Sequence, residues 1–200
     1  MITKEFNKNK LYLVNLGGKI KGSHLEIHDL RWVVGNKIED TFKQLRIEWF
    51  GNIKGLHIDS FVQINFIDGY KINILENLTP NNLNLHKSKS LHKEEKSNAK
   101  LWFVNLGAYD PNQLNEQHHF RLVVANNSQQ AKKITKSKWI NNNLYKHSDN
   151  IHSLNDLYTV DDCYPIQRIN HWIIDLQKDE LNRSQELIPD WFGYMRIDRT

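Results

Sequence analysis

Apolar and polar positions alternate along much of this chain in short runs, and the runs recur. Leu11–Leu16, rich in Leu, Val and Tyr, predicts a strand that Gly17-Gly18 stops. Glu26–Val34 predicts a second strand, with Ile27 facing away from Glu26 and His28 as a period of two requires. The short polar connection Lys19–Ser23 makes the pair a hairpin. The period then changes. Ile38, Phe42, Leu45 and Trp49 fall on one stripe of a helix, with Asn36 as its cap, Glu39 three residues later in a capping-box pattern, and Gly51 as a stop. His57–Phe66 and Tyr70–Leu75 return to strand character, joined at the turn signal Asp68-Gly69.

The same pattern then repeats. Lys10–Gly17 reads KLYLVNLG and Lys100–Gly107 reads KLWFVNLG, and the 90-residue offset holds without a gap to Trp49 and Trp139. Fourteen of those 40 pairs are identical, where unrelated segments of average composition share roughly two or three. Leu101–Leu106 and Glu116–Val124 therefore form a second hairpin, and Asn126 or Ser128 caps a second helix reaching about Ile140. The apolar stripe of that helix is thin: Ala131, Ile134 and Trp139. Leu157–Val160 and Ile166–Leu176 supply the later strands. The expected fold is α+β, built from two tandem strand–strand–helix–strand–strand repeats. One such module buries little alone, so the copies are expected to pack with pseudo-twofold symmetry. The expected division is residues 1–75 as the first module, 76–99 as a polar linker rich in Asn, Lys and Ser, 100–176 as the second module, and 177–200 as a tail. Trp191, Phe192, Tyr194 and Met195 suggest that this tail docks on the body.

Composition narrows the classes of function. With 39% hydrophobic and 25% charged residues over 200 positions, the chain reads as an ordinary soluble protein. No run approaches the ~20 apolar residues of a membrane span. The start, MITKEFNKNK, has no apolar core of a secretory signal. The single Cys163 excludes an internal disulfide framework and a cysteine-rich zinc site, and a cytoplasmic location is expected. The net charge of +4 is too mild to imply nucleic acid by itself.

Residues 25–51, LEIHDLRWVVGNKIEDTFKQLRIEWFG, followed by LHIDSF and IDGY, resemble the bacterial family catalogued as domain of unknown function 1543. EQHHFRLVVANNSQQAKK in the second copy is similar. The resemblance covers about three quarters of the chain and implies a tandem α+β fold. It implies no activity, so no catalytic residue is carried over.

Four constellations bear candidate chemistry. Glu26 and His28 share one strand face, and His57 and Asp59 share another; if the strands are neighbours, imidazoles and carboxylates converge. Such a set can hold a divalent ion or orient an imidazole for acid–base work, making His28, His57 and Asp59 the candidate catalytic residues. Against this stands a polar sheet face on which each His meets a nearby carboxylate, since no standard metal-ligand spacing is present. The second copy retains Glu116 and His118, adds His119, and aligns His57-x-Asp59 with His147-x-Asp149 at offset 90, or with Ser153 and Asn155 at offset 96. Arg31 and Arg121 are equivalent, and each can clamp an anion or close an internal ion pair. Lys132, Lys133, Lys136 and Lys138, with Tyr145, Lys146 and His147, form a basic face that could meet a phosphate backbone but is more simply a solvated surface. Trp49 and Trp139 close their helices, where packing explains them without a stacked ligand. Acidic neighbours would raise the Cys163 thiol and argue against a nucleophile.

No GxGxxG, Walker, GxSxG, HExxH or CxxC motif is present. The first functional expectation is a non-catalytic module binding a small ligand or protein partner through Glu26, His28, Arg31, His118 and Arg121. The second is an enzyme using the His28/His57/Asp59 cluster, and the third a weak nucleic-acid binder through residues 132–146. No cofactor, confident metal or membrane partner is expected, and a homodimer is possible.

Overall fold

The computed structural model describes residues 9–76, 98–108, 112–142 and 158–199. The chain divides into two compact units, residues 1–77 with 168–200 and residues 78–167. In chain order the elements of the first part are β1 (Lys10–Gly18), β2 (Ile27–Gly35), α1 (Phe42–Glu48), β3 (His57–Ile64), β4 (Phe66–Ile67) and β5 (Tyr70–Glu76). There follow β6 (Lys100–Ala108), β7 (Gln117–Ala125), α2 (Ser128–Asn142), β8 (Tyr158–Pro165), β9 (Arg168–Ile169), β10 (Trp172–Lys178) and β11 (Trp191–Arg196). The fold is α+β, with antiparallel sheets and two α-helices among the described residues.

In the first unit one sheet runs β11-β3-β1-β2. Alternation sends Tyr12, Val14 and Leu16 of β1 to one face, where they form a core with Val33, Ile38, Leu45, Trp49, Leu56, Ile58 and Ile197. Each large side chain buried there contributes about 1.5–3 kcal/mol relative to exposure. Ile38, Leu45 and Trp49 are buried on the stripe that the sequence predicts, with Phe42 packed beside them. The helix start differs from expectation. A 3-10 turn, Ile38–Thr41, precedes α1, and the Asp40 carboxylate accepts the Lys37 amide at 3.1 Å. Asn36 and Glu39 therefore do not form the box, because the tighter turn moves the cap by one residue. The end differs too. α1 stops at Glu48, and Gly51 lies beyond it where a Cβ would come 2.7 Å from the Lys19 carbonyl oxygen. That glycine permits a close approach of two backbone segments.

A second sheet in the same unit runs β4-β5-β10-β9. The β4–β5 hairpin turns at Asp68-Gly69, both at positive φ (49° and 78°), as the sequence signal predicts. The β9–β10 hairpin turns at Asn170, with φ 53°. β5 and β10 pair antiparallel with Asn73 opposite Asp175 and Ile74 opposite Ile174. Residues 168–178 thus complete a sheet of the first unit.

In the second unit β6 lies between β7 and β8, in the order β7-β6-β8. Trp102, Val104, Leu106, Val123, Ala125 and Ala131 form its core, with Ile134, Val160 and Cys163 packed against them. Asn127 is the helix cap: its side-chain oxygen accepts the Gln130 amide at 2.9 Å, while the Gln130 side chain takes the Asn126 amide.

The ladders fix the alignment of the two copies beyond the helices. Leu16 pairs with Ile58 and Gly17 with His57; Leu106 pairs with Val160 and Gly107 with Thr159. The offset there is 102 (160 − 58), neither 90 nor 96. Thr159 therefore occupies the register position of His57, and Asp161 that of Asp59. The alternatives His147, Asp149, Ser153 and Asn155 lie outside the described residues.

Candidate functional site

Two local features of the first sheet bring the cluster together. The first is a cross-strand row. Gly17 of β1 pairs with His28 of β2 on one side and with His57 of β3 on the other. On the face away from α1, two imidazoles therefore flank a position with no side chain. A Cβ at Gly17 would lie 2.4 Å from His57 Nε2 and 3.0 Å from Asp59 Oδ2, so the two rings can meet only over a glycine. The second is a β-bulge. Asn15 pairs with Ser60 but Leu16 with Ile58, which leaves Asp59 as the extra residue of β3. On a straight ladder, same-face neighbours on β3 lean apart along the strand. The bulge re-aims the Asp59 carboxylate at His57.

The resulting contacts converge. His57 Nε2 lies 3.1 Å from Asp59 Oδ1 and 3.8 Å from Glu26 Oε2. His28 Nε2 lies 3.2 Å from Asp59 Oδ2 and 4.0 Å from Glu26 Oε2. Glu26, His28 and His57 each offer one ligand atom, and the three atoms fall within 4.8 Å of one another. Asp59 Oδ2 is buried and accepts no hydrogen bond despite its closeness to His28. The side chains differ in access: His57 is 1% exposed and His28 49%. One imidazole is a fixed interior group and the other opens the cluster to solvent.

His57 is oriented from behind. Its Nδ1 lies 2.8 Å from the Gly55 carbonyl. A carbonyl only accepts, so Nδ1 carries the proton and Nε2 is turned toward the carboxylates. The Gly55 amide in turn donates to Asp198 Oδ2 at 2.8 Å. Arg196 donates to both Asp198 oxygens, through Nε at 3.1 Å and Nη2 at 2.6 Å, and holds that carboxyl well below the usual range. The Tyr194 ring lies over the His57 ring, with centroids 4.0 Å apart.

The second copy builds the same row with one member changed. His118 pairs with Gly107, which pairs with Thr159, and a bulge between Asn105 and Leu106 leaves Asp161 as the extra residue. His118 Nε2 is 3.8 Å from Glu116 and its Nδ1 is 3.4 Å from Asp161. Here the carboxylates face opposite nitrogens of one ring, whereas in the first copy they meet the same Nε2 atoms. Neighbouring His119 has its pKa lowered by burial and then by His118.

Sequence reasoning found Glu26, His28, His57, Asp59, Glu116 and His118. It missed Gly17, Asp161 and Asp198, and read Tyr194 only as part of a docking tail. The shared spacing of strand and glycine at Gly17 and Gly107 carries the glycine signal; the apolar run around Trp191 and Tyr194 signals a docking tail, but no pattern marks Asp198 as the side chain that reaches Gly55. The other candidates lie elsewhere. Arg31 forms an ion pair with Asp29 and donates to the Leu30 and Glu48 carbonyls at 2.8 and 3.3 Å. Arg121 is only partly buried on β7, with Nε buried and unbonded. Trp49 is a core residue whose Nε1 donates to the Asn52 carbonyl at 3.2 Å. Lys132 and Lys133 are exposed on α2, while Tyr145, Lys146 and His147 lie outside the described residues. The Cys163 thiol is raised chiefly by burial, with Lys132 opposing, rather than by its acidic neighbours.

The model of the family described as Domain of Unknown Function (DUF1543) matches residues 23–74 and 113–164, one stretch in each repeat and together just over half of the chain. The protein belongs to that family, in two tandem copies. It is similar to the crystal structure of a protein Il1583 from Idiomarina loihiensis, at 28% identity and a TM-score of 0.66, over 96% of this chain and 99% of that one. No curated protein matches. Among the described residues no helix is long and apolar enough to cross a membrane.

Proposed function

We propose that the first repeat is a binding module for a single divalent transition-metal ion, with Glu26, His28 and His57 as ligands and Asp59 as a fourth or a close support. The observation that carries this reading is the convergence of two imidazole Nε2 atoms and a carboxylate oxygen within 4.8 Å, over a glycine. A tetrahedral ion with bonds of about 2.0–2.1 Å sets its ligand atoms about 3.3 Å apart. The spacings from the two imidazoles to Asp59, 3.1 and 3.2 Å, lie close to that value, and those to Glu26, 3.8 and 4.0 Å, would close by a few tenths of an ångström around an ion. The donor set of nitrogen and oxygen without sulfur suits zinc, iron(II), cobalt or nickel better than copper(I) or magnesium. The Nδ1 proton on Gly55 is the usual second restraint of a metal-ligating histidine. A cation would also satisfy the otherwise unbonded Asp59 Oδ2.

A metal-free reading has its own support. His57 Nε2 at 3.1 Å from Asp59 is within reach of a hydrogen bond, so an imidazolium held by carboxylates would also satisfy the cluster. Zinc titration by calorimetry, with elemental analysis of the purified protein, separates the two. Binding of one equivalent that His28→Ala and His57→Ala each abolish, with no response to magnesium, supports the ion. Absence of any heat or bound metal leaves the imidazolium.

A further inference from the structure

We infer that the C-terminal strand is the clasp of the ion site and that Asp198 is a positioning residue for His57, an inference that rests on the metal reading above. Four of the five residues 194–198 contact His57 or the segment just before it, and the fifth, Met195, pairs with Ile58. The Tyr194 ring covers the face of the His57 ring. Arg196 pairs with His57 along the β11–β3 ladder. The Ile197 amide donates to the Leu56 carbonyl at 3.1 Å, and the Ile197 carbonyl accepts Arg46 Nη1 at 2.9 Å. Asp198, its side chain 3% exposed, accepts the Gly55 amide, and the Gly55 carbonyl accepts His57 Nδ1. The relay Arg196–Asp198–Gly55–His57 therefore crosses about 140 residues of sequence to orient one ring.

The strand is shaped for this contact. The β11–β3 register shifts between Phe192 and Met195, and Gly193 within the shift has φ 151°. Tyr194 leaves the ladder there and turns onto His57. Gly55, at φ 88°, takes a left-handed conformation that leaves its amide on Asp198 and its carbonyl on His57.

An ion on Nε2 needs the ring in this orientation, and the docked strand supplies it. Ion binding and strand docking are then linked: docking tightens the ion by the same factor by which the ion tightens docking. The second repeat lacks both the histidine and, among its described residues, any strand beyond β8.

The test uses the full chain, with zinc as the probe. Affinity is measured by competition with a chromophoric chelator, and amide hydrogen exchange is followed over residues 191–196 with and without zinc. Asp198→Ala should weaken zinc at least about tenfold, the range known for lost outer partners of ligating histidines. Asp198→Asn keeps an oxygen for the Gly55 amide and should recover most of that loss, which a general destabilisation would not do. Zinc should slow exchange across 191–196 in the wild type. Unchanged zinc affinity in Asp198→Ala, or exchange in the wild type that zinc does not slow, overturns the clasp while leaving the ion site standing. The exchange measurement needs no variant, so it decides the question even if Asp198→Ala does not fold. No zinc uptake by the wild type overturns both readings.

Discussion

Gly17 contributes nothing to the site except room, and that makes it the most sensitive position in it. Gly17→Ala would place a methyl 2.4 Å from His57 Nε2. We expect it to abolish zinc uptake and to cost about 1–3 kcal/mol of stability, as overpacking in a closed site does. Calorimetry and urea unfolding check the two effects separately; wild-type uptake would show that the rings do not need the gap. Acid offers a second residue-scale test. Asp179 accepts the Arg183 amide and guanidinium, which lowers its carboxyl from 3.8 to about 2. A carboxyl depressed in the folded state stabilises it above the ordinary value and loses that contribution as pH falls through about 2. Asp198 is depressed in the same direction, mainly by Arg196 and then by the Gly55 amide. Both anchor the stretch after β10. Acid titration should therefore release this stretch as pH drops below the carboxylate range, and Asp198→Asn should flatten the dependence. Hydrogen exchange at residues 179–198 between pH 5 and 2 reads it directly.

At the scale of elements, the hairpins and helices are legible because alternation and the 3.6-residue stripe are local. Tyr12, Val14 and Leu16 announce their face without reference to anything distant. The site is only half legible for the opposite reason. A bulge adds one residue that no hydrophobic pattern marks, and the second copy carries twelve more residues between helix and strand (102 − 90). Together they hide the match of Asp59 with Asp161, although both aspartates stand in the sequence. The cap moved from Asn36 to Lys37 because a 3-10 turn opens the first helix, and composition does not distinguish that turn from an α-helical one. The alignment yields an element-scale prediction. Thr159→His restores the row His118–Gly107–Thr159 to the composition of the first copy. It should add a second zinc equivalent, weaker than the first because no strand covers β8 among the described residues. A stoichiometry that stays at one would mean that the row and the bulge are insufficient without the clasp.

At the scale of the whole molecule, the first unit is discontinuous: β10 pairs with β5, β11 with β3, and Ile197 is fully buried in its core. Ile197→Ala should cost the first unit about 2–5 kcal/mol, as truncating a fully buried aliphatic side chain does. The second unit, residues 78–167, should keep its own unfolding transition. Calorimetric scanning with and without zinc separates them: on the proposed ion site, only the transition of the first unit should rise with the metal, by about 2.7 kcal/mol at a hundredfold excess over Kd. A single transition that moves as one in both experiments would contradict the division.

The discontinuity also sets an order of events during synthesis. Chains emerge from the ribosome N-terminus first, and domains usually fold in that order. Here residues 10–76 appear first but lack two strands until 168–196 have been made, whereas residues 78–167 are a continuous stretch. The later repeat is free to fold while the earlier one waits. His57, translated early, gains its covering ring, and Gly55 its anchor on Asp198, only when the segment 194–198 arrives. On the proposed ion site, the nascent protein would thus be unable to hold the metal firmly until residues 194–198 have been translated.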